Sequence, residues 1–225
     1  MLVEFDFAVT QTAYVKAAMD EIPAFRPDGL TPANVQTLVT SATPVRDAYV
    51  TKKNAIGDAR TLRHTTIDTL HDACVDFAAQ GRSRFRKIAG ILQRFGRLPT
   101  QDQTFQETLT RGAASDALWA TLPQIGSPAA AFTVLQGDAV LSRAGFTALI
   151  AAARAADGAI PASDEDFQAA EADLHAKMGE LEDFVTAALE QGRSQFAEGT
   201  PQREIIDAIP QATGGGGGRV GWTFR

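Results

Sequence analysis

Apolar residues recur along this chain at helical spacing. Ile67, Leu70, Cys74 and Phe77 fall three or four residues apart, and so do Leu174, Met178, Leu181 and Val185. Side chains at those intervals share one face of an α-helix and form a stripe that must be buried. The pattern predicts long helices over 46–80 and 163–191. Ser163 is the expected N-cap of the second, with Asp164, Glu165 and Asp166 in its first turn, where carboxylates suit the positive end of the helix dipole. Gly81 and Gly192 mark the expected C-terminal ends. A shorter helix precedes each: 31–42, capped by Thr31 with Pro32 at its first position, and 142–156, capped by Ser142. Residues 84–95 read as a further helix. In the second half Gly199-Thr200-Pro201 interrupts the matching stretch ahead of a short helix over 202–208.

The two ends carry a different period. Val3, Phe5, Phe7 and Val9 alternate with polar or small residues, as do Val220, Trp222 and Phe224. Strict alternation with β-branched and aromatic residues predicts short strands at both termini. The five glycines from Gly214 to Gly218 read as a flexible tether ahead of the second one. A strand on a tether can pair within its own chain or add to another.

The chain also repeats itself. Gln80-Gly81-Arg82-Ser83 recurs as Gln191-Gly192-Arg193-Ser194, 111 residues later. Holding that offset, His64 meets His175, Leu70 meets Leu181 and Phe85 meets Phe196. Residues 30–85 keep 14 identities in 56 without a gap. A shared helical pattern explains matched apolar positions but not a matched tetrapeptide and histidine, so the expected organisation is a duplication. It divides the chain into a first half, 1–111, a second half, 112–213, and the tether with its strand, 214–225. The predicted fold is an all-α antiparallel bundle of two duplicated helical hairpins, with the halves in one compact domain and short strands at the termini.

Composition narrows the class. With 225 residues, 44% hydrophobic and 21% charged, the chain can bury a core and is not a disordered polymer. No apolar run approaches membrane-spanning length. The acidic residues in Met1–Asp6 argue against a secretory leader, and one cysteine, Cys74, excludes an intrachain disulfide. A cytoplasmic protein is expected. The net charge of -6 is unevenly divided: the first half carries 14 bases and 12 acids, the remainder 7 and 15.

Two clusters carry possible chemistry. His64, Asp68 and His71 share one side of a helix, and Glu171 and His175 repeat the four-residue spacing; imidazole and carboxylate in that pattern suit zinc or iron. The second is a basic run, Arg82, Arg84, Arg86, Lys87, Arg94 and Arg97, interleaved with Phe85 and Phe95 and free of acids. Arginine beside aromatics can hold nucleic acid, but a sequence pI near 5.1 is the wrong background for a general nucleic-acid binder. Phosphate-loop, dinucleotide, zinc-protease and nucleophile-elbow signatures are missing. The reading is a non-enzymatic structural or protein-interaction scaffold, assembling as a homo-oligomer through charge-complementary halves and through Val220, Trp222 and Phe224, with no membrane partner. A metal-binding bundle with oxidoreductase activity is the alternative, and a polyanion binder the third.

Overall fold

The computed structural model describes residues 1–101, 103–124 and 130–211. The glycine tether and the expected C-terminal strand, with Val220, Trp222 and Phe224, lie outside them. The described chain is mostly helical, with six α-helices and one small sheet. In order these are α1 (Leu2–Glu21), α2 (Pro32–Arg84), α3 (Ala89–Phe95), α4 (Phe105–Trp119), β1 (Val134–Gln136), β2 (Ala139–Leu141), α5 (Arg143–Gln195) and α6 (Pro201–Asp207).

The N-terminal segment is a helix, not the expected strand. Phe5, Ala8, Thr12, Val15 and Met19 are all buried, at steps of three or four, whereas Val3 is 65% exposed. An alternating strand would put Val3 and Phe5 on the same face. The alternation spans only two helical turns, and the longer run of buried positions decides the outcome.

Helices α2 and α5 each run 53 residues, where two separate helices were expected in each place. Pro44 and Pro161 lie inside them. An interior proline removes a backbone donor and costs about 3 kcal/mol. Ala42 and Tyr49, on either side of Pro44, are buried in one cluster, so packing on both flanks carries the helix through the proline. Gly81 and Gly192 do not end these helices either; both continue one turn further. The helix expected from residue 84 begins at Ala89.

Contacts divide the chain into two compact units, residues 1–53 with 166 onward, and residues 54–165. Each contains a part of α2 and a part of α5. In the first unit Val15, Met19, Phe25, Phe184, Val185 and Ile206 share one cluster, and Phe5, Tyr49, Leu174 and Leu181 share another. The second unit is built on aromatics: Phe77 stacks on Trp119 at 4.9 Å and lies 5.3 Å from Phe95 and 6.0 Å from Phe146. Cys74 is buried in this cluster.

Burial follows the sequence offset. Val35 and Phe146, Ala42 and Ala153, Leu70 and Leu181, and Phe95 and Ile206 are pairs 111 residues apart, and every member is at most 1% exposed. The first residues of α2 and α5 are 111 apart as well, and so are the last.

Ahead of α5 stands a β-hairpin, with Val134 paired to Leu141 and Gln136 to Ala139. Its two-residue turn, Gly137-Asp138, has positive φ at the glycine alone, +58°, the combination a type II′ turn needs.

Candidate interaction surface

The repeated tetrapeptide builds the corner from which the basic run projects. A Cβ on Gly81 would lie 2.2 Å from the ring of Phe95, and one on Gly192 would lie 2.5 Å from Ile206. Each glycine is therefore a seat for the buried side chain of the following short helix. The glutamine before it is a clamp. Gln80 donates to the Leu135 carbonyl at 2.7 Å and accepts from the Leu135 N–H at 2.8 Å. Gln191 accepts from the Asp28 N–H and donates to the Arg26 carbonyl, the loop ahead of α2. The arginine after it meets the short helix: Arg82 donates to the Phe95 carbonyl, and Arg193 pairs with Asp207 at 3.0 Å.

From this frame Arg82, Arg84, Arg86, Lys87, Arg94 and Arg97 all emerge exposed. Arg94 donates to the Thr121 hydroxyl at 2.5 Å. Phe85 and Phe95 do not join them at the surface. Both are fully buried, with their rings stacked 6.1 Å apart. They pin the loop and α3 to the core and offer no face to a nucleic-acid base, which removes the aromatic half of the polyanion reading. The exposed apolar residues here are Ile88 and Leu92, 39% and 38% accessible and one helical turn apart. The surface is a set of arginines and a lysine around two aliphatic side chains.

In the corresponding corner of the other unit the arginines are ion-paired. Asp207 accepts from Arg203 at 2.8 Å and from Arg193 at 3.0 Å. These two arginines, Arg203 first, hold the Asp207 carboxyl below the usual carboxylate range. Glu198 stands where the first corner has Lys87.

The histidine cluster is only partly assembled. His64, Asp68 and His71 line one side of an open cleft of about 440 Å³, with Thr104 and Phe105 opposite. His64 approaches Asp68 at 3.5 Å but is 80% exposed. Arg63 lies 4.4 Å over the Phe105 ring and 2.6 Å from Asp157. Among the described residues no three histidine, cysteine or carboxylate side chains gather as a metal site; His64, Asp68 and His71 belong to one compact unit, and Glu171 and His175 to the other.

Charge asymmetry between the halves is partly absorbed inside the molecule. Lys52 pairs with Asp166, Arg63 with Asp157 and Arg60 with Asp164. Asp116 accepts from Arg143 at 2.9 Å and from Thr147 at 3.0 Å. The Arg143 hydrogen bond lowers the Asp116 pKa despite the opposing effect of burial.

Sequence reasoning missed α4 and the clamping role of Gln80 and Gln191. For α4 a signal was present: Thr104 and Glu107 form a reciprocal capping box, readable as Thr-x-x-Glu. Gly137-Asp138 between apolar residues likewise signals a hairpin. Comparison of the chain with protein-family models, curated proteins and solved structures found no match. Among the described residues no helix is long and apolar enough to cross a membrane.

Proposed function

We propose that this chain is a non-catalytic interaction scaffold, built from a duplicated helical unit and acting in the cytoplasm. Supporting the duplication are the matched extents of α2 and α5, the shared burial at the 111-residue offset, and the two glycine seats with their glutamine clamps. The repeating halves are 1–111 and 112–213. Each long helix contributes to both compact units, so a unit combines parts of both halves.

The observation that carries the functional reading is the Arg82–Arg97 surface. Six cations stand exposed on a segment anchored by two buried phenylalanines, with no acid between Phe77 and Gln101. Like charges held together on a rigid mount repel one another and cost stability unless a partner neutralises them. Ile88 and Leu92 add the apolar centre that a protein interface uses. The partner is a protein, and self-assembly is its simplest form. Sedimentation velocity over a range of protein and salt concentrations tests this. Concentration-dependent association at low salt, reversed at high salt, is expected. A monomer under all conditions refutes self-assembly.

A further inference from the structure

Resting on that reading, we infer that the Arg86–Arg97 surface of one copy docks on the exposed face of the C-terminal part of α5 in a second copy. At 100° per residue, Ala169, Ala172, Ala176, Gly179, Asp183 and Glu190 fall within a narrow stripe of α5. All but the half-buried Gly179 are exposed, and nothing lies within 4 Å of the Cβ position on Gly179. The buried residues of this stretch, Leu174, Leu181 and Val185, lie on the opposite side. Asp173 and Glu182 flank the stripe, both exposed. From Ser163 to Glu190 the helix carries nine acids and a single base, Lys177.

The two surfaces are opposite in charge. One has aliphatic Ile88 and Leu92 ringed by cations. The other has a smooth alanine–glycine strip ringed by carboxylates. Small side chains let a partner approach the helix closely, and paired potentials fix its register. Among the described residues Arg86, Lys87 and Arg97 make no ion pair, and neither do Asp173, Asp183 and Glu190.

The duplication supplies an internal control. If arginines were needed at the corner for folding alone, both corners would carry them unneutralised. In the second, Asp207 binds both Arg193 and Arg203. In the first, Arg86, Lys87 and Arg97 make no ion pair with the described residues. The contact is consequently heterologous, one donor and one acceptor surface per copy, and its repetition builds a ring or a filament.

The test uses full-length chain in two charge-reversed forms, R86E/K87E/R97E and D173K/D183K/E190K. All six positions are exposed, and circular dichroism checks that each form is folded. Wild type associates, and its dissociation constant rises at least about tenfold from about 0.05 M to about 0.5 M salt. Each variant alone is monomeric, and an equimolar mixture associates again, because either variant supplies the surface the other has lost. If wild type associates but D173K/D183K/E190K associates equally well, this inference is overturned while the scaffold reading stands. If wild type never associates, self-assembly and this inference fall together. A mixture that stays monomeric although both variants are folded overturns the pairing of these two faces.

Discussion

The close approach of Phe95 to Gly81 makes opposite predictions for two glycines of the same helix. Gly57 and Gly81 both lie within α2. Replacing a helical glycine by alanine gains about 1 kcal/mol from backbone entropy where space allows. Around Gly57 nothing lies within 4 Å of the new methyl, so Gly57→Ala gains that amount. At Gly81 the methyl would stand 2.2 Å from two ring carbons of Phe95, well inside van der Waals contact. The ring must withdraw by about an ångström, and it is fully buried between Phe77 and Phe85. Losing part of a phenylalanine's burial and its edge contacts costs about 2–4 kcal/mol. Net of the helix gain, Gly81→Ala destabilises by about 1–3 kcal/mol. Urea unfolding followed by Trp119 fluorescence reads this unit, since Trp119 lies 4.9 Å from Phe77. A double-mutant cycle isolates the cause: in a Phe95→Ala background Gly81→Ala loses its penalty and becomes neutral or stabilising. If Gly81→Ala is as stable as Gly57→Ala with Phe95 present, the seat does not exist as described.

The other predictions concern caps, clamps and buried polar groups. Thr104→Ala removes the capping box of α4 and costs about 1 kcal/mol in the same urea assay. Gln80→Ala frees the Leu135 N–H and carbonyl and speeds amide exchange at Leu135, leaving Asp28, clamped by Gln191, unchanged. The Ser115 hydroxyl is buried without a hydrogen-bond partner among the described residues, so Ser115→Ala stabilises by about 1 kcal/mol. Asp116 has a lowered pKa through Arg143, so its contribution is present above the ordinary carboxylate range and fades as pH falls through the folded value. The stability gap between wild type and Asp116→Asn is therefore full at neutral pH and closes below about pH 4; a gap independent of pH refutes the pairing.

Much of the helical architecture was legible because long stripes demand a face. The stripe at Leu70, Cys74 and Phe77 and the one at Leu181 and Val185 are buried as expected. Where local rules failed, tertiary packing overruled them. Proline normally interrupts a helix, and Pro44 does not, because Ala42 and Tyr49 are held on both sides of it. Glycine is the commonest C-cap, yet Gly81 and Gly192 are interior, chosen for lack of a side chain and not for freedom of φ. No local pattern distinguishes those two uses. The partner of each glycine lies 14 residues away, beyond the window over which caps are read.

At the surface the same limit applied more strongly. Spacing set His64, Asp68 and His71 on one side of a helix, but the cleft they line also needs Thr104 and Phe105, which no local pattern brings to them. The basic run was visible as charge, but whether Phe85 and Phe95 faced solvent depended on a core assembled from four other elements.

What the halves share and where they differ separates folding from recognition. Gln80-Gly81-Arg82 and Gln191-Gly192-Arg193 perform the same three tasks: clamping the segment ahead of a long helix, seating a buried side chain and meeting the short helix. Each task fixes backbone against backbone, so a change at any of them disturbs the core. Just beyond, the halves part: Arg84 answers to Gln195, Arg86 to Ala197 and Lys87 to Glu198. Those positions are exposed, and folding places no demand on their charge. A frame held in common therefore presents a cationic corner in one unit and an ion-paired corner in the other. Under the self-assembly proposed above, two such unlike corners would let one copy bind another in one direction only.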